Sequence, residues 1–340
     1  IVEVLGLKDE EGEKHSSYVL ASHINKFINY FCNSDKTKIK DLNYLDIVSD
    51  LKANRFVEEH YDEIEKNTRM FLAKMDSGEI EITHDFYLKK FQLTNPTLDY
   101  DYILFDEAQD ASPAMLNVFL KQKGVKIIVG DTHQQIYGWR FAVNSLESVD
   151  FTTLNLSTSF RFDANIAKLA TKVLKWKQYL GHEIDFKIIG SGGINKVVPK
   201  AIIGRTNLGL LVKAIDYIRQ HPEIDKIYFE GNINSYTYAD EGASLYDILN
   251  LYNRKKDKIR DKIVKQMDDF TDLEDYIKKT EDGQLSMMVD VVRRYNNDIY
   301  DIIKHIKDIH VGDNERDSAK MIFTTVHRSK GMEYDAIQLT

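Results

Sequence analysis

The strongest constraint on this chain is a pair of short apolar runs that each finish on an aspartate. Asp99-Tyr100-Asp101-Tyr102-Ile103-Leu104-Phe105-Asp106 and Val125-Lys126-Ile127-Ile128-Val129-Gly130-Asp131 are rich in β-branched and aromatic residues, and the stretch 113–121 between them is amphipathic. Strand, helix, strand in that order reads as a βαβ unit, in which the crossover lays the second strand parallel to the first. Ligands of such sheets bind beyond the carboxyl ends of the strands. Both aspartates would sit there. The expected fold class is therefore α/β.

The rest of the chain extends this pattern. Residues 16–33 and 50–75 carry apolar side chains at helical spacing with charges on their other faces. Thr153 to Leu156 reads as a strand, and Asp163 to Leu180 as a helix with Asp163 near its start. Val197 to Gly204 reads as a strand, Leu208 to Arg219 as a helix, and Asp225 to Phe229 as a strand. From about 243 to 309 the sequence is helical and dense in charge, and Lys320 to Val326 resumes as a strand. A length of 340 residues accommodates two domains. The expected division is a first lobe over 1–150 with a helical insertion at about 16–95, and a second lobe over 151–340 with a helical insertion at about 230–315.

Composition narrows the function classes. The net charge of −8 excludes a uniformly basic nucleic-acid coat but leaves room for a local basic track. No apolar run approaches the roughly 18 residues of a membrane span. The single cysteine, Cys32, permits no internal disulfide or cysteine-based zinc site, and reads as a small buried hydrophobe in a reducing compartment. The opening Ile1-Val2-Glu3-Val4-Leu5 turns acidic by Asp9 and has no signal or transit character. Both ends read as cuts through a larger protein.

Four clusters carry chemistry. In Asp106-Glu107-Ala108-Gln109-Asp110, a carboxylate at a strand end can hold Mg²⁺ and its neighbour can take a proton from an attacking water. A solvated acidic turn is the plain alternative. In the stretch 130–140, Gln134 and Arg140 pair a polar amide with a permanent cation beside the acidic strand end, which suits a sensor of a terminal phosphate. In Ser157-Thr158-Ser159-Phe160-Arg161, an aromatic ring and a guanidinium precede a helix, and together they can stack a base and neutralise phosphate charge. Thr324-Thr325-Val326-His327-Arg328-Ser329-Lys330-Gly331-Met332-Glu333-Tyr334 sets hydroxyls and cations at a strand-to-loop boundary.

In this order the clusters resemble the UvrD/Rep/PcrA-like group of superfamily 1 helicases. Residues 106–110 look like motif II, 130–140 like motif III, 156–161 like motif IV, 203–207 like motif IVa and 325–334 like motif V. Within that group the chain looks closer to F-box DNA helicase-like proteins, because of His84-Asp85-Phe86-Tyr87-Leu88-Lys89-Lys90-Phe91-Gln92-Leu93 before motif II and a short helical segment in place of a large 2B domain. The resemblance implies two RecA-like P-loop NTPase lobes with helical insertions, an ATP site between them, and an ATP-dependent DNA helicase or translocase of 3′ to 5′ polarity acting in repair or recombination. It implies that Asp106 holds Mg²⁺, that Glu107 activates water, and that Gln134, Arg140 and Arg161 approach the γ-phosphate of ATP. Phe160 would stack on adenine, with Gly331 and Glu333 at the nucleotide. Tyr137, Trp139, Arg205, Asn207, Thr325 and His327 would touch DNA, as single strands and single/double-strand junctions. Such a protein works in the bacterial or phage-infected cytoplasm, or in a eukaryotic nucleus, and not at a membrane or outside the cell.

The departures carry equal weight. No Gly-x-x-x-x-Gly-Lys-Ser/Thr occurs, so the phosphate-cradling Walker A loop is missing, and the arginine-bearing motif VI is missing too. Both are expected beyond the cuts, and the fragment alone is expected to be inactive. A second reading is a non-hydrolysing module that binds single-stranded DNA or a repair partner. A third is a nuclease using Asp106, Glu107 and Asp131 around two metals, which leaves the arginines unused. Trp139 as core packing and His327 as a satisfied buried histidine are the alternatives for those two residues.

Overall fold

The computed structural model describes residues 1–9, 15–181, 187–193, 200–238 and 242–340. They form two compact units, one of residues 1–152 with 274–282, the other of residues 153–273 with 283–340. The segment 274–282, expected within the second lobe's insertion, clusters with the first unit.

The first unit begins with helices α1 (Val2–Leu5), α2 (Ser16–Asn33), α3 (Leu51–Ser77) and α4 (His84–Leu93). Along α2 the side chains of Val19, Leu20, Ile24, Phe27, Ile28 and Phe31 are buried, as their helical spacing requires. Asp50 caps α3 by accepting from the backbone N–H groups of Lys52 and Ala53, and Gly78, at φ +78°, ends it in a left-handed turn. The fully buried Lys89 of α4 donates from Nζ to the carbonyls of Ser34 (2.9 Å) and Lys36, just past the end of α2. Burial pulls its amine down to about 8. Cys32 is buried, and desolvation pushes its thiol up to about 12, so it packs as a small hydrophobe.

The expected βαβ unit follows. Strand β1 (Tyr102–Phe105) pairs in parallel with β2 (Val125–Ile128), Tyr102 opposite Val125 and Phe105 opposite Ile128. Helix α5 (Pro113–Leu120) crosses between them, started by Pro113 and by the Ser112 hydroxyl, which accepts from the Met115 N–H.

The second unit carries β3 (Thr158–Ser159), α6 (Ala164–Lys175), β4 (Ile189–Gly190), β5 (Lys200–Gly204), α7 (Asn207–Gln220) and β6 (Ile227–Phe229). Helices α8 (Leu245–Tyr252), α9 (Lys262–Gln266), α10 (Phe270–Thr280, whose residues from 274 on cluster with the first unit), α11 (Gly283–Tyr295) and α12 (Ile299–Ile309) come next, then β7 (Met321–Thr325), α13 (Val326–Ser329) and β8 (Ala336–Leu339). Four strands form one parallel sheet in the order β6-β7-β5-β8. Its core stacks Phe229 on Phe323, ring centroids 4.9 Å apart, under the buried Leu210, Leu211, Ala214 and Ile215 of α7. Parallel strands covered by helices are the α/β arrangement expected from the sequence.

Three local expectations need correction. Thr153 to Leu156 is not a strand: Leu154 and Leu156 are 87% and 90% exposed, and the pairing strand is the two-residue β3, joined to β4. Alternation of apolar and polar residues produces a strand only where a neighbouring strand takes up its hydrogen bonds. The helix expected to reach Leu180 ends at Lys175 and continues as a 3₁₀ turn over Trp176–Leu180. The cluster after β7 is a short helix, because the Thr325 hydroxyl accepts from the Arg328 N–H and caps it. Residues 197–199 of the expected 197–204 strand lie outside the described residues.

Candidate functional site

In the first unit the carboxyl ends of β1 and β2 are tied together by one side chain. Asp106 follows β1 directly, and its carboxylate accepts from the Glu107 N–H at 2.9 Å. Glu107 sits at φ +51°, a left-handed conformation that non-glycine residues enter rarely and that here ends the strand sharply. Gln109 is fully buried. Its Nε2 donates to Glu107 Oε2 (2.6 Å) and Asp110 Oδ2 (3.2 Å), while its Oε1 accepts from the Asp131 N–H (3.0 Å). Space for this amide exists because residue 130 is glycine: a Cβ there would stand 2.3 Å from Gln109 Oε1. Asp131 in turn accepts from the His133 N–H (2.9 Å) and from Gln134 Nε2 (2.7 Å). A chain of hydrogen bonds therefore runs from Glu107 through Gln109 and Asp131 to Gln134.

Arg140 lies near Asp85 of α4, its Nη2 3.5 Å from Oδ1, and its guanidinium stands 5.8 Å from the centre of the Trp139 ring. Trp139 is 66% exposed and so is not core packing. Tyr137 is half-buried beside it.

The second unit gathers another set. Phe160 is exposed, and Arg161 Nε pairs with Glu333 Oε1 at 3.3 Å, both side chains about two-thirds exposed. Gly331 lies at φ +79° and is exposed. Arg205 is exposed, Asn207 donates from Nδ2 to the Ser235 carbonyl at 3.1 Å, Thr325 is buried as the cap of α13, and His327 is half-buried.

Beside them lies a network that sequence reasoning missed. Glu230, at the carboxyl end of β6, is only 6% exposed. Its Oε1 accepts from Arg316 Nε (3.0 Å), Arg316 Nη2 (2.7 Å) and the Tyr334 hydroxyl (3.1 Å). Its carbonyl accepts from Arg328 Nη1 and the Tyr236 hydroxyl. Burial works against the Arg316 cation, but the hydrogen bond and charge of Glu230 outweigh it and hold the guanidinium above its ordinary value. Burial, then the Glu230 charge, pushes the Tyr334 hydroxyl up. The available signal was a carboxylate at the end of an apolar β-run, as at Asp106. Gln109 lies within the acidic run 106–110, but nothing in that run shows where its amide points.

Among the described residues no group of three His, Cys, Asp or Glu side chains is placed to hold a metal. Oxygen donors at Asp106 fit a single hard cation such as Mg²⁺. Among the described residues no helix is long and apolar enough to cross a membrane.

Comparison with known proteins bears on this geometry. Residues 6–148 match the UvrD/REP helicase N-terminal domain. F-box DNA helicase 1 of Gallus gallus is 31% identical over 289 residues, covering 78% of this chain and 27% of that protein. F-box DNA helicase protein 1 of Schizosaccharomyces pombe is 25% identical over 351 residues, covering 95% of this chain and 38% of that protein. The chain thus spans well under half the length of these relatives.

Proposed function

We propose that this UvrD-like chain, whose residues 6–148 match the UvrD/REP helicase N-terminal domain and which is similar to the F-box DNA helicases, is the motor portion of an ATP-dependent DNA helicase. The observation that carries the reading is the Gln109 bridge, which links the candidate catalytic carboxylate Glu107 to the phosphate-sensing candidate Gln134 through three successive hydrogen bonds.

Bound Mg-ATP would supply the phosphoryl group and the charge that polarises it. Asp106 offers the metal a carboxylate at the end of β1. Glu107, one oxygen held by Gln109, is oriented to take a proton from water. Gln134 and Arg140 serve as neutral and cationic donors to phosphate oxygens. From the second unit, Arg161 neutralises developing charge, Phe160 stacks on the base, and Gly331 and Glu333 meet the rest of the nucleotide. Arg161 reaches phosphate only by leaving Glu333, and such exposed pairs are worth roughly 0–1 kcal/mol. Trp139 and Tyr137 present rings to a single strand, where stacking tolerates any base, and Arg205, Asn207, Thr325 and His327 line the strand's path in the second unit. The polarity is 3′ to 5′, the setting is DNA repair or recombination, and single/double-strand junctions are the substrate. In a eukaryote the protein works in the nucleus.

A second reading is a non-hydrolysing module on single-stranded DNA or a repair partner, for which the exposed Trp139 presents its ring without a nucleotide. The experiment is steady-state ATP hydrolysis by the full-length protein with and without single-stranded DNA. Stimulated hydrolysis is expected. Tight strand binding without hydrolysis would replace the motor with the binding module.

A further inference from the structure

The clusters used so far leave one charged surface of the second unit unexplained. Residues 164–181 contain four lysines and no carboxylate, in a chain of net charge −8. Three of them, Lys168, Lys172 and Lys175, recur at helical spacing on α6 and face a groove of about 570 Å³ whose other wall is the segment of Lys187, Ile188 and Ile189 running into β4. Among the described residues no acidic side chain lines the groove. Among the described residues none of the four lining lysines is held in an ion pair.

Helix electrostatics accounts for part of this arrangement only. Lys172 and Lys175 lie in the last turn of α6, where cations are favoured by the helix dipole. Lys168 lies a turn earlier, and Lys187 comes from a different segment across the groove. Four cations gathered around one open concavity make it a favourable seat for an anion.

We propose that this groove binds the backbone of a single nucleic-acid strand, as a contact separate from Trp139 and from motifs III to V. The lysine row from 168 to 175 spans about 10 Å along the helix, so its cations can meet successive phosphates of one strand. The groove floor of Ile188, Ile189 and alanines offers apolar surface to sugars. At the end of the row, Trp176 and Tyr179 are 60% and 89% exposed, flat surfaces on which bases stack. A small anion needs neither a row of cations nor two exposed rings, and an acidic peptide needs no rings. The groove lies wholly within the second unit, so the inference stands independently of the roles given to Asp106, Glu107 and Gln134.

The test is a fluorescence-anisotropy titration of a labelled oligothymidylate with the protein at several salt concentrations. The variant Lys168→Gln/Lys172→Gln/Lys175→Gln/Lys187→Gln should bind about tenfold or more weakly, with the log–log salt slope reduced by about 3, since each single-strand phosphate contact contributes about 0.7. The matching lysine-to-arginine variant should keep the wild-type slope. Trp139→Ala should weaken binding with an unchanged slope, which separates this groove from the motif III surface. Circular dichroism melting checks that the glutamine variant folds, and if it does not, single Lys168→Gln and Lys187→Gln variants should each lower the slope by about 0.7. An unchanged slope in the folded glutamine variants overturns the proposal. So does equal competition by polyglutamate, which would make the groove an acidic-protein site.

Discussion

Two glutamates stand at equivalent places in the two units, each just past the carboxyl end of a parallel strand, and they meet opposite fates. Glu230 is buried, and Arg316 and Tyr334 occupy its carboxylate. Glu107 is exposed, and its Oε2 accepts from the amide of Gln109. The topology explains why both ends collect polar side chains, since backbone strands stop there and helices begin. It does not say which carboxylate does chemistry. Partners decide that: the Glu230 carboxylate is engaged by Arg316 and Tyr334 and holds structure, whereas the Glu107 carboxylate, oriented by Gln109, is exposed to water. The two arginines repeat the contrast, with Arg316 on a buried partner and Arg161 on an exposed one.

The largest expected effect tests the arginine half of this contrast. Arg161→Ala in the full-length protein should slow ATP hydrolysis by about 10³–10⁵, the range for arginines that neutralise a transferring phosphoryl group, and should leave the melting temperature nearly unchanged. Rapid-quench hydrolysis at saturating DNA measures it, and a loss under about tenfold would confine Arg161 to its pair with Glu333. Arg316→Ala should do the reverse. It strands Glu230 as a buried charge, and urea unfolding should register a loss of about 3 kcal/mol, the low end for a broken buried pair because the guanidinium is partly exposed. A loss below about 1 kcal/mol would mean that water replaces the arginine and that the two glutamates differ less than the geometry says.

A smaller effect sharpens the role of burial within the first unit. His23 is fully buried, its Nδ1 2.9 Å from the Tyr44 hydroxyl, and burial followed by the nearby Lys26 charge lowers its folded-state value to about 4. The unfolded chain binds its proton near 6.5, the folded chain only near 4, so stability is complete above pH 6.5 and declines as pH falls toward 4. The full difference is roughly 3 kcal/mol. Urea midpoints between pH 7 and pH 4 for wild type and His23→Phe should diverge at the acid end, and parallel profiles would remove His23 as the cause.

What was legible in the sequence follows the same division between place and partner. The βαβ unit was readable because β-branched runs and a helical period are local signals, and Asp106 and Glu107 were readable because a strand end is a local position. Helices α2 and α3 were readable from apolar spacing alone. The Glu230 to Arg316 pair was not, because it joins residues 86 positions apart through the pairing of β6 with β7. Gln109 was hidden for a related reason: its amide is satisfied by the Asp131 backbone across the sheet, and only the requirement for glycine at 130 hints at it. Thr153 to Leu156 failed in the other direction, a local strand pattern for which the described residues supply no neighbouring strand.

The most direct test of the division between the two glutamates is single-turnover ATP hydrolysis by full-length Glu107→Gln and Glu230→Gln, both assayed well below their melting temperatures and normalised to folded protein. The amide at 107 keeps shape and nucleotide binding but removes the base, so turnover should nearly vanish. The amide at 230 removes the partner of Arg316, so the protein should melt earlier yet keep most of its turnover per folded molecule. Hydrolysis by Glu107→Gln within a few-fold of wild type, or a folded Glu230→Gln as inactive as Glu107→Gln, would contradict the account.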